Sequence, residues 1–540
     1  MRMKIQVMAA AMFMLASAWT SQGQIIEMGK ENLNLIQGAE VGSKIKIKWK
    51  VLDKDASVIL RVTDKTGKTI RTLDAGKMPQ GEYSALFDGR DSEGTPLPQG
   101  EYMVQLIANP SVATDSSFGC NGVIGTVSKK IRFSNNRSLD VDMKGVEPSS
   151  VKLEVKGIKW DKEDDFSIAG NNFVVDAAKD KLMLNPSAEI KDGDELSVYM
   201  TRGFPLENPW ALAVAPDDSL YICDNLYQID VTNKAAAPRS GFVYKATASG
   251  QAVKSFGQNG AMTTTCRDVA VDADGNLYVV PAEHYVAVYD SNGAKKMNIA
   301  GFTANLKPDA PDIYKGGYWI NSIAIDRKSK RIIIINGSIP SYVLYDMTKP
   351  GLEGFITYMG PNDGAQLSPV LWQYYGPCVS MVGNNFYQTT AHHELRKFSY
   401  APASKEISAA WATPAGDGAS AQKSMPPPSL WHAMGVAADG TGLIYVANRN
   451  NGRIEIFFDA GASCKYVATL GGKGDDESKC QMVAPHGLAL SNDKKHLYVA
   501  DDGYSFKHVK EDEVKGLARV AKMKICEAET LTANLTIKSK

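Results

Sequence analysis

Residues 486–500 read HGLALSNDKKHLYVA: a short apolar run, a polar turn, then a second apolar run. Period-two apolar runs bounded by turn residues are strand signals, so the stretch is a β-hairpin buried on both faces. Residues 267–280 (RDVAVDADGNLYVV) and 434–447 (MGVAADGTGLIYVA) repeat it closely. Residues 209–225 (PWALAVAPDDSLYICDN), 320–337 (INSIAIDRKSKRIIIING) and 376–390 (GPCVSMVGNNFYQTT) are weaker copies. Taking starts at Pro209, Cys266, Ile320, Gly376, His432 and Pro485, the spacings are 57, 54, 56, 56 and 53 residues. So narrow a period marks repeated units that bury their faces only against one another. A third alternating run follows several copies, at 285–289 (YVAVY), 342–345 (YVLY) and 453–457 (RIEIF). The expectation is an all-β chain ending in a six-bladed β-propeller over residues 205–540.

The unit pattern, P-x-G-[IV]-A-V-D followed by G-x-[IL]-Y-V-[AS]-D, resembles NHL-repeat propellers, a likeness that speaks to fold and not to activity. A ring must close to hide its edges. Residues 531–537 are the expected closing strand, with 196–200 as the other candidate.

Between residues 44 and 108 the alternation places Ile45, Ile47 and Trp49, Val58, Leu60 and Val62, and Tyr102, Val104 and Leu106 on one face, with turns at 64–67 and 91–94. This predicts a small antiparallel sandwich. Gly81-Glu82-Tyr83, Phe87-Asp88-Gly89-Arg90-Asp91, Gly94, Leu97-Pro98 and Gly100-Glu101-Tyr102 resemble the immunoglobulin-like module of flagellar hook-capping (FlgD-like) proteins, which implies an accessory domain. Residues 24–135 are expected to form this sandwich and 136–204 a small second β domain or linker. There, 152–160 (KLEVKGIKW) alternates well, and the charge run 161–165 suits a solvated loop.

Residues 1–23 read as an export signal: Arg2 and Lys4, an apolar run over 5–18, and the small-x-small site Ala16-Ser17-Ala18. A secreted or periplasmic protein is expected. Sixty basic and sixty acidic side chains give a formal charge of zero, which argues against nucleic acid as a partner. No apolar run is long enough for membrane insertion. Seven cysteines lack a C-x-x-C pair. Cys223, Cys266 and Cys378 are expected as buried small hydrophobes, and Cys464 and Cys480 as the pair able to bridge.

Aligned on the innermost strands, the residues at one channel mouth are Trp210, Arg267, Asn321, Pro377, Met434 and His486, with His432 two places earlier in its unit. Trp210, Arg267, Asn321, His432 and His486 are the ligand-binding candidates, a mixture that suits a polar ligand with a flat or sugar-like face. The segment Ala484-Pro485-His486-Gly487-Leu488 is similar to one in peptidyl-hydroxyglycine lyases, in which propeller histidines hold zinc. That likeness makes His486 the metal candidate and zinc or calcium the ions to consider, although the other inner positions supply no matching ligands. His392-His393-Glu394 is expected as a solvent-facing strand start, and Asp272-Ala273-Asp274-Gly275-Asn276 as a hairpin turn and not a calcium loop. Residues 414–428, with 372–375, are a candidate rim over the mouth. Two functions are therefore in view: a binding or scaffold protein for a protein or glycan ligand, and a lyase or hydrolase using His486, His432 and Arg267.

Overall fold

A computed structural model describes residues 24–29, 39–40, 44–118, 125–141, 151–176, 181–202, 206, 209–225, 241–248, 250, 252–256, 266–281, 285–299, 320–336, 341–349, 351–359, 378–390, 393–413, 427–474, 477–502 and 518–538. The leader, Pro377, His392 and the rim segments 372–375 and 414–426 lie outside the described residues. Among the described residues there is no α-helix, and no helix is long and apolar enough to cross a membrane. The fold is all-β, with a propeller-like arrangement of sheets and an immunoglobulin-like domain towards the amino terminus.

Two compact units divide the chain: residues 1–111 with 465–468 and 526–540, and residues 112–464 with 469–525. In the first, Ile45–Asp64 pairs antiparallel with Thr69–Phe87, and Val58 to Asp64 with Ala108 to Tyr102 of Gly100–Phe118. All nine apolar residues expected on one face are buried in a single core cluster. Its turns are held by aspartate: the Asp64 Oδ1 accepts from the Thr66 and Lys68 amides, and the Asp91 Oδ1 from those of Glu93 and Thr95. Ala533, Leu535 and Ile537 belong to this same core, and Ala39 pairs with Ile537. Residues 531–537 therefore do not close the propeller, because their alternating apolar face is spent on the sandwich. The other candidate, 196–200, is excluded as well, since Glu195–Arg202 pairs with Gly125–Arg132 and Lys152–Val155.

That pairing builds a seven-stranded sheet with its own core, in which Phe133, Leu153, Trp160, Phe173 and Val198 are buried. Residues 125–135 thus pack with the second β domain and not with the sandwich. KLEVKGIKW is not one strand but a hairpin. Lys156 and Gly157 take positive φ (51° and 78°), and Leu153 faces Trp160 across the turn. Two consecutive left-handed residues are what the tightest hairpin loop requires.

Among the described residues, five self-contained four-stranded sheets follow, with innermost strands Pro209–Val214, Cys266–Val271, Ile320–Asp326, Val379–Val382 and Ala433–Ala438. The expectation of six equivalent sheets is corrected here. Pro485–Leu490 and His496–Asp501 pair antiparallel, and the latter pairs with residues 519–524 of Arg519–Lys538, but these strands do not form a separate sheet. The innermost strands lie beside one another in chain order, and Pro485–Leu490 lies between Ala433–Ala438 and Pro209–Val214.

Side-by-side packing of innermost strands leaves little room at Gly435 and Gly487, which occupy the position held in the other units by Ala211, Asp268, Ser322 and Cys378. A Cβ at Gly435 would sit 2.2 Å from the His486 carbonyl oxygen, and one at Gly487 2.7 Å from that of Trp210. Asp268 at the equivalent position joins two sheets by bonding: its Oδ2 accepts from the Ser322 hydroxyl at 2.5 Å and the Ile323 amide at 2.9 Å. The Ser322 Oγ in turn accepts from the Val379 amide at 3.1 Å. At the opposite end of these strands Arg327 donates to the carbonyls of Val214 and Val271 and to the Asn492 side chain.

Cys223 and Cys266 form a disulfide between the second strand of the first sheet and the innermost strand of the next. Both expectations about cysteine pairing are thereby corrected, since Cys464 and Cys480 are not joined. Alignment on the repeat hides the pairing, because 43 residues separate the two cysteines.

Gly435→Ala and Gly487→Ala are expected to destabilise by about 1–3 kcal/mol or more through forced strand separation, read as a lower urea midpoint. An unchanged midpoint would show that the strands part freely. Cys223→Ser is expected to cost about 4 kcal/mol in the chain-entropy account of a loop of this length. Peptide mapping without reductant should recover residues 223 and 266 as one linked species.

Candidate functional site

Proline, aromatic and small residues at the strand starts bring the sequence candidates to one end of the innermost strands. Trp210 and His486 meet. Their ring centroids are 3.6 Å apart at 36°, and the His486 Nδ1 is 2.8 Å from the Trp210 carbonyl oxygen. Arg267 and Asn321 meet through an Nη1 to Oδ1 hydrogen bond of 2.6 Å. His432, with φ of 58°, donates its backbone N–H to the His393 Nδ1 at 2.7 Å, and the two rings stand edge to face.

This end is not an open mouth. Trp210, Asn321 and Met434 are buried and His486 is fully so, while Arg267 and His432 are partly exposed. Met434 shares a core cluster with Trp210 and Cys266, so an apolar side chain fills space expected to be a channel.

Several groups were missed in the sequence. His393 is no solvent-facing strand start: it sits in a turn at φ 65° and accepts from His432. Arg449 is buried and paired with Asp502 at 2.5 Å. Asn448 and Asp501 end second strands and hold the loops that open innermost strands. Asn448 Oδ1 accepts from the Trp431 amide, and the Asp501 carboxylate from the Val483 and Ala484 amides. The signal for these was the polar residue closing each Tyr-Val-Ala motif. Asp272, as expected, caps a turn by accepting from the Asp274 and Asn276 amides.

Burial, then the Arg449 guanidinium and His393, hold His432 down to about 3, against a bond with Asn450 that raises it. Burial and Arg449 likewise hold His486 well below the ordinary histidine range, opposed by its bond to the Trp210 carbonyl. Burial pushes Asp268 up to about 6, although Ser322 and the Ile323 and Val269 amides pull it back. A general base works best when its pKa lies near the working pH, and neither histidine is so placed. Among the described residues no group of three or more His, Cys, Asp or Glu is placed to hold a metal ion. The His486 surroundings do not fit zinc or calcium: no set of three ligands gathers there among the described residues, and the Arg449 cation acts on the ring.

A concavity of about 480 Å³ lies on the sandwich and is lined by Glu27, Lys46, Lys48, Lys50, Glu82 and Tyr83 among others. Lys50 and Glu82 pair at 3.0 Å, so both signs of charge line it.

Residues 34–111 match the FlgD Ig-like domain. Over 52 residues, a tenth of this chain, the sequence is 35% identical to the basal-body rod modification protein FlgD of Salmonella typhimurium and to that of Salmonella typhi. The chain spans 22% of the length of those relatives. Solved structures with some likeness include a Lactobacillus plantarum protein (14% identity, 65% of this chain and 94% of that one, TM-score 0.37). Others are Kuenenia stuttgartiensis hydrazine synthase (15%, 58% and 96%, TM-score 0.35) and the periplasmic gluconolactonase of Pseudomonas aeruginosa (12%, 61% and 89%, TM-score 0.35). None of these carries an activity to this chain.

The two histidines give stability a defined pH dependence. Their folded pKa values lie below the unfolded value near 6.5, so their contribution is intact above that pH and is lost as pH falls through it, by up to about 1.4 kcal/mol per pH unit each. Asp268 acts oppositely, being least unfavourable below about 4 and most above 6. Unfolding midpoints from pH 7.5 to 4 should therefore fall less steeply in His432→Gln than in the parent chain. Equal slopes would show that His432 protonates in the folded state.

Proposed function

We propose that this is an exported binding or scaffold protein whose propeller recognises a protein or glycan at the end where the innermost strands begin. The observation that carries the reading is the fixed packing of polar groups at that end: His432 bonds to His393, His486 lies against Trp210 and its carbonyl, and burial with Arg449 disfavours the charged form of both histidines, as suits fixed hydrogen-bonding groups and not proton shuttles. Arg267, partly exposed and oriented by Asn321, is the group best placed to meet a ligand.

Export is supported by the leader pattern of residues 1–23 and by the buried Cys223–Cys266 bond, which an oxidising compartment maintains. We read Pro485–Leu490, His496–Asp501 and residues 519–525 as a sixth blade of an NHL-type ring. Its support is the position of Pro485–Leu490 between the innermost strands of the fifth and first sheets. The domain order is then leader, sandwich, small β domain and propeller, with a carboxyl-terminal strand returning to the sandwich core. The sandwich serves as an accessory module.

A glycan array probed with the protein lacking residues 1–23 tests the binding reading. Saturable binding that falls tenfold or more in Arg267→Ala, with an unchanged unfolding midpoint, is the expected result. Turnover of lactone or peptidyl-hydroxyglycine substrates that disappears in His486→Gln would instead establish the lyase or hydrolase reading.

A further inference from the structure

Lysine occupies every second position from Lys44 to Lys50, alternating with Ile45, Ile47 and Trp49. Those three apolar side chains lie in the sandwich core, so Lys46, Lys48 and Lys50 stand on the outer face of Ile45–Asp64. Lysines commonly guard an unpaired sheet edge. That role does not account for this comb, because the strand pairs at residues 49–51 with Ile26–Met28 on one side and at residues 45–51 with residues 81–87 on the other.

The three strands present their outer side chains in rows. Glu27, Lys50 and Glu82 form one row, in which Lys50 pairs with Glu82 at 3.0 Å. In the next, the Gly29 amide donates to the Lys48 carbonyl and Ser84 lies across from Lys48 on the other side. In the third, Lys46 lies across from Leu86, which is 56% exposed. Glycine and serine flanking the middle row leave a depression among longer side chains, and there lies the concavity of about 480 Å³. Its size falls within the roughly 300–1,000 Å³ of small-molecule sites. Lys46, Lys48, Glu82 and Ser84 are exposed, so a ligand reaches it from solvent.

Charge changes sign along this concavity. Two carboxylates flank Lys50, whereas Ser84 and Leu86, across from Lys48 and Lys46, carry no charge. The change takes one step of alternate residues, roughly 7 Å along a strand. A polymer of closely spaced phosphates, or an anionic membrane, would set negative charge against Glu27 and Glu82 as well as against the lysines. A ligand that suits both ends carries one anionic group for the ammonium groups and hydroxyl donors for the carboxylates, which only accept. We propose that this concavity is a ligand site that takes an acidic sugar of the uronate type, its carboxylate held by Lys46 and Lys48 and its hydroxyls donating to Glu27 and Glu82. The accessory module then binds a ligand of its own, independently of the strand-start end of the propeller.

The test is calorimetric titration of the whole chain with glucuronate, galacturonate and their disaccharides, set against glucose, galactose and inorganic phosphate. At least one uronate should bind saturably, with its neutral counterpart and phosphate each tenfold or more weaker. Lys46→Gln combined with Lys48→Gln should weaken that uronate tenfold or more at an unchanged unfolding midpoint, since both side chains are exposed. Ser84→Trp, which fills the depression without altering charge, should weaken it as much. Absence of uronate binding, equal binding of the neutral sugar, or binding of phosphate as tight as the uronate overturns the proposal. So does uronate binding that survives the paired lysine substitutions. Uronate binding lost in Arg267→Ala and kept in the lysine variants would overturn this site while supporting the propeller face. Binding lost in the lysine variants and kept in Arg267→Ala supports this site whatever becomes of the propeller reading.

Discussion

Close approach of the innermost strands is the constraint on which the propeller depends. At Gly435 and Gly487 the neighbouring backbone stands nearer than a side chain allows, and the absence of a Cβ meets this. Asp268 and Ser322, at the equivalent positions, convert proximity into hydrogen bonds across sheets. The second solution holds an acidic group in a buried place, where its charged form is disfavoured and three donors offset much of the cost. Arg327 serves the other end of the same strands by satisfying carbonyls that their termination leaves open.

Crowding also shapes the chemistry of the strand-start end. Groups that could have lined an open channel are instead packed: Trp210 on His486, Met434 in the same buried cluster as Trp210, Arg449 on Asp502. Polar side chains so enclosed have fixed directions and protonation states. Burial, and after it the charge of Arg449, keeps both histidines neutral, which weakens them as bases but leaves them sound hydrogen-bonding groups. Rigidity of this kind favours recognition, where preorganisation lowers the cost of binding.

Legibility in the sequence followed the range of the interaction. The sandwich face from Ile45 to Leu106 was readable because strand alternation is local, and the Asp64, Asp91 and Asp272 turns because an aspartate caps amides only two to four residues away. The Lys156-Gly157 hairpin was hidden because Leu153 and Val155 before the turn and Ile158 and Trp160 after it each alternate, and the one-residue change of phase between them is small. Of the site, the meeting of Trp210 with His486 followed from repeat alignment in outline, but Arg449, His393 and Asp502 did not, since they lie outside the repeated core of each unit.

By itself the sequence determined that the chain is all-β, that its carboxyl-terminal part is built of repeated four-stranded units and that an immunoglobulin-like domain lies towards its amino terminus, because periodicity and turn chemistry act over a few residues. Only the tertiary structure decided that five of those units are self-contained sheets, that residues 531–537 serve the sandwich core and that Cys223 finds Cys266. Each of those outcomes depends on which buried surfaces and which side chains meet across long stretches of chain, and a pattern of apolar and polar letters does not say which of several matching strands will be the neighbour.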